Sequence, residues 1–215
     1  MADVWKTYDI GNIKFNSEVE IIIPFYNKHA QVITLIESIF QSVNTPYFIT
    51  LLDDGSENFE FISQFNESKI SNIRCMRHDA PEGFGAAVNS CLANPLRNTS
   101  WVVLMRSNAI VEGQWLKELG ICIQNMKNAG IKMISPFSDS GEGNLPISKK
   151  LDKRDDLILK ENQFLPLHCA ISHRELFKKV GFLKENGDEA QEFCGRMRKH
   201  GFSQALCGKS WIHVV

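Results

Sequence analysis

The stretch VEIIIPF, residues 19–25, sets the reading of the chain. It is short, continuous and β-branched. A strand with one face in water alternates apolar and polar residues, so an unbroken run of this kind suits a sheet covered on both faces, as parallel sheets are. After it, Val32, Ile33, Ile36, Ile39, Phe40 and Val43 recur at spacings of three and four, which predicts an amphipathic helix. PYFITLL (46–52) reads as the next strand and stops at DDGS. Phe61, Ile62 and Phe65 suggest a short helix before a strand at NIRCM (72–76). GFGAAVNSCLA (83–93) is a helix that starts on glycines, and WVVLM (101–105) is another strand. The segment 114–130 is a long helix with Gly130 as its C-cap, followed by the strand IKMIS (131–135). This alternation predicts an α/β domain with a mostly parallel central sheet flanked by helices.

Beyond it, PFSDSGEGNLPISKKLDKRDD (136–156) is polar, rich in Gly, Ser and Pro, and ends in a charge run; a loop so long is usually functional or disordered. The chain resumes with FLPLHCAIS (164–172) as a strand and HRELFKKVG (173–181) as a short helix. A helix at 188–201 capped by Gly201 follows, then a last strand at 203–215. With no repeat or linker, residues 1–215 read as one domain.

The composition excludes several classes. The chain has 215 residues, 43% hydrophobic and 23% charged, with a formal net charge of −1. That size supports one substantial core. The charge argues against nucleic acid or an anionic membrane as partner. No apolar run approaches the roughly 18 residues of a membrane helix, and the N-terminus lacks the basic-then-apolar pattern of a signal peptide. The expectation is a cytoplasmic protein without an integral membrane segment. Six scattered cysteines form no CxxC pair, so buried reduced thiols are expected. There is no HxxxH pair, no GxSxG elbow and no P-loop. GFGAA lacks the third glycine and the position of a dinucleotide fingerprint, so a nicotinamide cofactor is not expected.

In an open parallel sheet, ligands sit beyond the carboxyl ends of the strands. That rule brings Pro24–Asn27, Asp53–Ser56, the loop before Gly83 and Met105–Asn108 to one crevice. DDGS (53–56) can accept hydrogen bonds from a base or ribose, or be an Asp-Gly turn with a capping serine. DEAQE (188–192) can supply a general base, or simply place acids at a helix N-terminus, where the macrodipole favours them.

Taken in order, IIIPFYN (21–27), LLDDGSEN (51–58), PEGFGAAVN (81–89), VVLMRSNAIVEGQWLKEL (102–119), the block 168–202 and SWIHVV (210–215) resemble the family 2 inverting glycosyltransferases of the GT-A fold, over residues 19 to 213. The resemblance implies a single Rossmann-like GT-A domain, with a nucleotide-binding part at about 19–136 and an acceptor-side part at about 137–215. It implies transfer of a sugar from a nucleotide-sugar donor, UDP-linked by expectation, to a glycan, lipid or peptide acceptor. Tyr26 and Asp53 or Asp54 would contact the base and ribose. Pro24, Asn27, Gly83, Asn89, Arg106 and Ser107 would shape the donor site. One of Asp188, Glu189 and Glu192 would deprotonate the acceptor hydroxyl.

Two departures from the family pattern stand out. Asn108 occupies the place of the metal-binding Asp, and a neutral amide suits a hard cation poorly. A divalent cation, manganese or magnesium, is therefore expected to be bound weakly or not at all at Asn108 and His213, with Arg106 facing the diphosphate instead. Ala190 also stands at the usual base position. A chain that lost both acids would be a catalytically inactive sugar-nucleotide-binding or scaffolding module, which is the alternative function. The sequence ends two residues after His213, which leaves room for a protein partner at the site.

Overall fold

The computed structural model describes residues 9–10, 13–14, 19–42, 46–67, 70–96, 99–126, 129–147, 154–185 and 187–215. Val43 of the first helical stripe, residues 1–8 of the N-terminus and residues 149–153 of the charge run lie outside them. After a hairpin of β1 (Asp9–Ile10) and β2 (Ile13–Lys14), the elements are β3 (Val19–Phe25), α1 (His29–Ser42), β4 (Tyr47–Asp53), α2 (Glu60–Glu67), β5 (Ile73–Arg77), α3 (Phe84–Ala93), β6 (Trp101–Met105), β7 (Ala109–Val111), α4 (Trp115–Asn125), β8 (Ile131–Ser138), β9 (Leu157–Ile158), β10 (Cys169–His173), α5 (Glu175–Val180), α6 (Glu189–Lys199) and β11 (Ser203–Val214). No helix among the described residues is long and apolar enough to cross a membrane.

A nine-stranded sheet runs in the order β5-β4-β3-β6-β10-β8-β11-β7, with β9 paired to β11. Strands β5, β4, β3, β6, β8 and β11 point one way, and β10, β7 and β9 oppose them. The sheet is mostly parallel, as the β-branched runs require.

All of β3 is buried, and its alternation divides two cores. Val19, Ile21, Ile23 and Phe25 pack with α1, α2 and α4 on one face, while Ile22 packs with α3, α5 and α6 on the other. Each such side chain taken fully from water contributes about 1.5–3 kcal/mol. Glu20, in the same run, is fully buried. It is paired with Arg74 at 3.0 Å and with Arg174, and it accepts from Thr50, Thr99 and the Leu96 N–H.

Local readings depart from the structure where tertiary packing decides. The core face of α1 is Val32, Leu35, Ile36 and Ile39, whereas Ile33 and Phe40 are exposed. α4 ends at Asn125, so Gly130 is not its C-cap but a left-handed residue (φ 73°) at the turn into β8. β8 extends to Ser138 into the segment read as loop, and the strand expected at 164–172 reduces to β10, antiparallel to β6 and β8. β7 and β9 carry too few residues to show a period. Gly201 (φ 73°) does close α6: its N–H donates to Arg198 O at 2.9 Å, and the Phe202 N–H donates to Met197 O at 3.0 Å, which is a Schellman ending.

Candidate functional site

The carboxyl ends of β3, β4 and β6 open on a cleft of about 500 Å³, lined by Pro24, Phe25, Tyr26, Lys28, Gln31, Asp54, Pro81, Gly83, Phe84, Arg106, Ser107, Asn108, His168 and Val215. Its floor is assembled by loop-to-loop hydrogen bonds. The Asp54 N–H donates to Phe25 O at 2.8 Å, the Asn27 N–H to Ser56 Oγ at 2.8 Å, and the Glu57 N–H to Asn27 Oδ1 at 3.0 Å. Asn27, with φ 53°, thereby ties the turn after β3 to the loop after β4 and does not itself line the cleft.

The two aspartates of DDGS part company. Asp53 is fully buried; its Oδ1 accepts the Ser56 N–H at 2.8 Å and its Oδ2 pairs with Arg77, which also holds Ser56 O at 2.7 Å. It shapes the turn. Asp54 reaches the cleft wall, where it accepts from the N–H groups of Gly83 and Glu82 at 2.8 and 3.0 Å, with His78 Nδ1 at 2.8 Å. Gly83 has φ 94°, a backbone only glycine adopts freely, and this brings its N–H onto Asp54. Asn89 faces away from the cleft: its amide exchanges hydrogen bonds with both backbone groups of Leu183, at 2.9 and 3.0 Å.

Arg106 follows β6 and anchors its own backbone by donating its N–H to His168 O at 3.1 Å. Its guanidinium lies 4.3 Å from the Phe84 ring centroid, a cation–π contact. Its Nη2 donates to Glu189 Oε1 at 2.8 Å, while its buried Nε has no hydrogen-bond partner among the described residues. With Lys28 it gives the cleft two basic side chains beside the carboxylate of Asp54. Asn108 lines the cleft and its carbonyl accepts the Val215 N–H at 2.9 Å, which explains the missed strand β7: residues after Asn108 pair with the end of β11. His213, on that end, does not line the cleft, and its Nδ1 is engaged by Asp139.

The three candidate bases sit differently. Glu189, at the first turn of α6, meets Arg106. Glu192 is held by Arg196 at 2.6 and 2.8 Å, and Arg196 also caps Val180 O and Phe182 O. Asp188 is exposed with φ 52° and makes no capping hydrogen bond. A hard cation wants carboxylate oxygens. Among the described residues, the group of three His, Cys, Asp or Glu donors that converges is Cys122, Asp156 and Cys207, none of which lines the cleft. At the cleft the carboxylate among the lining residues is Asp54, already taken by the Gly83 and Glu82 N–H groups, and Asn108, which also lines it, is neutral, which makes a poor donor set for a hard cation such as manganese.

His168 is a cleft residue that no sequence motif marks. Its Nε2 is 2.9 Å from Glu142 Oε2, and its Nδ1 is buried and unpartnered among the described residues. Burial pulls its pKa below the ordinary value, against the opposing pull of Glu142. The ring is neutral near pH 7, with Nε2–H donated to Glu142 and a lone pair on Nδ1. Lys28, directly after the PFYN turn, was also missed; its place at the strand end was the available signal.

The sequence model described as glycosyl transferase family 2 matches residues 20–181. None of the curated protein sequences matches the chain significantly. Solved structures do. GalNAc-T7 with UDP, GalNAc and Mn2+ superposes with a TM-score of 0.76 at 16% identity, covering 92% of this chain and 44% of that one. The mannosyltransferase PcManGT from Pyrobaculum calidifontis, in complex with GDP-Man and Mn2+, gives 0.71 at 13% identity, covering 92% and 56%. S. aureus TarS 1–349 gives 0.67 at 16% identity, covering 92% and 60%. At these identities the likeness speaks for the fold, the GT-A fold of a single α/β domain. The chain spans about half the length of these proteins.

Proposed function

Because the chain belongs to glycosyl transferase family 2, we propose that it moves a sugar from a nucleotide-sugar donor, UDP-linked in the first instance, to an acceptor hydroxyl with inversion, and that a divalent cation is weakly needed or not needed. The observation that carries this reading is the position of Arg106, a permanent cation on the wall of a cleft that Asp54, Tyr26 and Gly83 also line. The complexes of GalNAc-T7 with UDP and of PcManGT with GDP-Man support a nucleotide donor.

In the proposed reaction, residues 19–136 hold the donor and 137–215 the acceptor. Tyr26 offers its half-exposed ring to the base, and the cleft cations face the diphosphate. A carboxylate of α6, Glu189 first because it alone of the three touches a cleft residue, takes the proton of the acceptor hydroxyl. The hydroxyl oxygen bonds to the anomeric carbon from the side opposite the diphosphate, and the carbon–phosphate oxygen bond breaks. The electron pair leaves with the nucleoside diphosphate, whose new charge Arg106 meets with its fork of donors.

A second reading has its own observation. Glu189 is already paired at 2.8 Å and the tripeptide 106–108 carries no acid, which is what a sugar-nucleotide-binding module without turnover would show. Calorimetric titration of UDP, in manganese and in EDTA, followed by donor hydrolysis, separates the two. Transfer predicts binding that survives EDTA together with measurable hydrolysis; binding without hydrolysis favours the second reading, and no binding in either buffer removes the uridine-linked donor.

A further inference from the structure

The convergent donors Cys122, Cys207 and Asp156 lie away from the donor cleft, and the strand register explains how they meet. β9 pairs antiparallel with β11, with Leu206 opposite Leu157 and Ala205 opposite Ile158. Continuing that register by one residue sets Asp156 opposite Cys207. Directly opposed residues of an antiparallel pair share a face, and the face of Cys207 is the one packed by α4, where Cys122 sits. One ligand atom from each of the three falls within 4.8 Å of the others.

Two details hold the carboxylate there. Residues 208–210 bulge out of β11, because Cys207 aligns with Pro136 and Trp211 with Phe137. A Cβ on Gly208 would stand 2.0 Å from Arg154 O and 2.7 Å from Asp155 C, so only glycine lets the segment 154–156 press onto the bulge. The Gly208 N–H then donates to Asp156 Oδ1 at 2.8 Å, which orients the carboxylate as an outer partner orients a metal ligand. A further soft donor, Met126 Sδ, is 3.9 Å from Cys122 Sγ. The thiols are buried and Asp156 is exposed, so the cluster is reached from the carboxylate side.

We infer that Cys122, Cys207 and Asp156 bind a thiophilic divalent cation of the zinc type, at a site separate from the donor cleft. Two sulfurs and one oxygen suit a tetrahedral borderline-soft ion with its fourth position open to water or Met126, and suit manganese or magnesium poorly. Each thiol that ligates releases its proton to solvent. The bound ion clamps the segment leading into β9 to α4 and β11, and it does so whether or not the chain transfers sugar.

The test is a titration of the reduced 215-residue chain with cobalt(II), read by thiolate-to-metal charge transfer and tetrahedral d–d absorption, then by displacement with zinc. One equivalent of cobalt is expected, displaced by one of zinc. Cys207→Ser should abolish the charge-transfer band. Asp156→Asn should weaken binding at least about tenfold, the scale that loss of even an outer partner reaches. Cys194→Ser, on α6, should change nothing. Asp156 is exposed, so its variant keeps the test open if Cys207→Ser does not fold. No thiolate band in the reduced protein, or identical titrations in wild type and Asp156→Asn, would overturn the site. So would a Cys122–Cys207 disulfide in a chain whose reduced form takes up no cobalt.

Discussion

Arg106 Nη2 lies 2.8 Å from Glu189 Oε1, joining the end of β6 to the first turn of α6. The pair joins the part proposed to hold the donor to the part proposed to hold the acceptor. It sets the cation of the 106–108 tripeptide against the carboxylate proposed as the base.

If Arg106 meets the diphosphate, Arg106→Ala should weaken UDP binding in EDTA. Hydrogen bonds to charged groups are worth about 1.5–3 kcal/mol, or roughly 10–100-fold in Kd. Calorimetry reads this directly, and unchanged affinity in EDTA would remove Arg106 from the phosphate role.

Glu189→Gln separates binding from chemistry. It releases Arg106 from its ion pair, so nucleotide affinity should hold or rise, while turnover falls by about 10²–10⁴, the usual worth of a positioned base. Glu192→Ala should keep turnover and cost at most about 1 kcal/mol, because its partner Arg196 is on its own helix. Full activity in Glu189→Gln would return the base to Asp188 or to another group.

Asn108 lines the cleft two residues after Arg106, so Asn108→Asp adds a second carboxylate to the one Asp54 supplies there. Manganese binding, followed by the paramagnetic signal of the free ion, should tighten at least about tenfold, since hard cations prefer charged oxygen ligands. Equal affinity in variant and wild type would mean that this position does not face a metal.

His168 makes stability depend on pH. Its folded pKa lies below the ordinary 6.5 because of burial, with Arg106 adding in the same direction and Glu142 and Asp139 opposing. Between the folded and unfolded values the unfolded chain binds more protons, so stability rises with pH there. The contribution is complete above 6.5 and is lost as pH falls through the folded value. Urea midpoints at about pH 7.5 and pH 5.5 should show the loss, and His168→Gln should reduce it, leaving the share of His173, whose pKa burial also lowers. An identical pH dependence in the variant would assign the loss elsewhere.

The fold was legible because its signals are local. VEIIIPF and WVVLM are strands buried on both faces, and the rule about strand carboxyl ends brought Pro24, Tyr26, Asp54, Gly83 and Arg106 to one cleft. What escaped depends on partners distant in sequence. Asp53 and Asp54 read alike, yet Arg77 takes one and the Gly83 N–H takes the other. The family resemblance put Asn89 in the donor pocket, and nothing nearby in sequence announces Leu183, which takes its amide instead. His168 and Lys28 carry no motif, and Cys122 with Cys207 lacks any short spacing because the packing of α4 on β11, not local sequence, brings them together.

Gly85 offers a test in which two principles give opposite signs. It lies inside α3, where replacing glycine by alanine should stabilise by about 0.5–1 kcal/mol. A Cβ there would stand 2.1 Å from Lys184 O, in the backbone segment that leads to α6 and Glu189. That contact cannot relax without moving the segment, and overpacking of this kind costs about 1–3 kcal/mol, so steric exclusion should win and Gly85→Ala should lower the urea midpoint. Gly195, inside α6 with nothing within 4 Å of its Cβ position, is the control in which propensity acts alone, and Gly195→Ala should raise the midpoint. If Gly85→Ala were as stabilising as Gly195→Ala, α3 would not be held against residues 184–185 in solution.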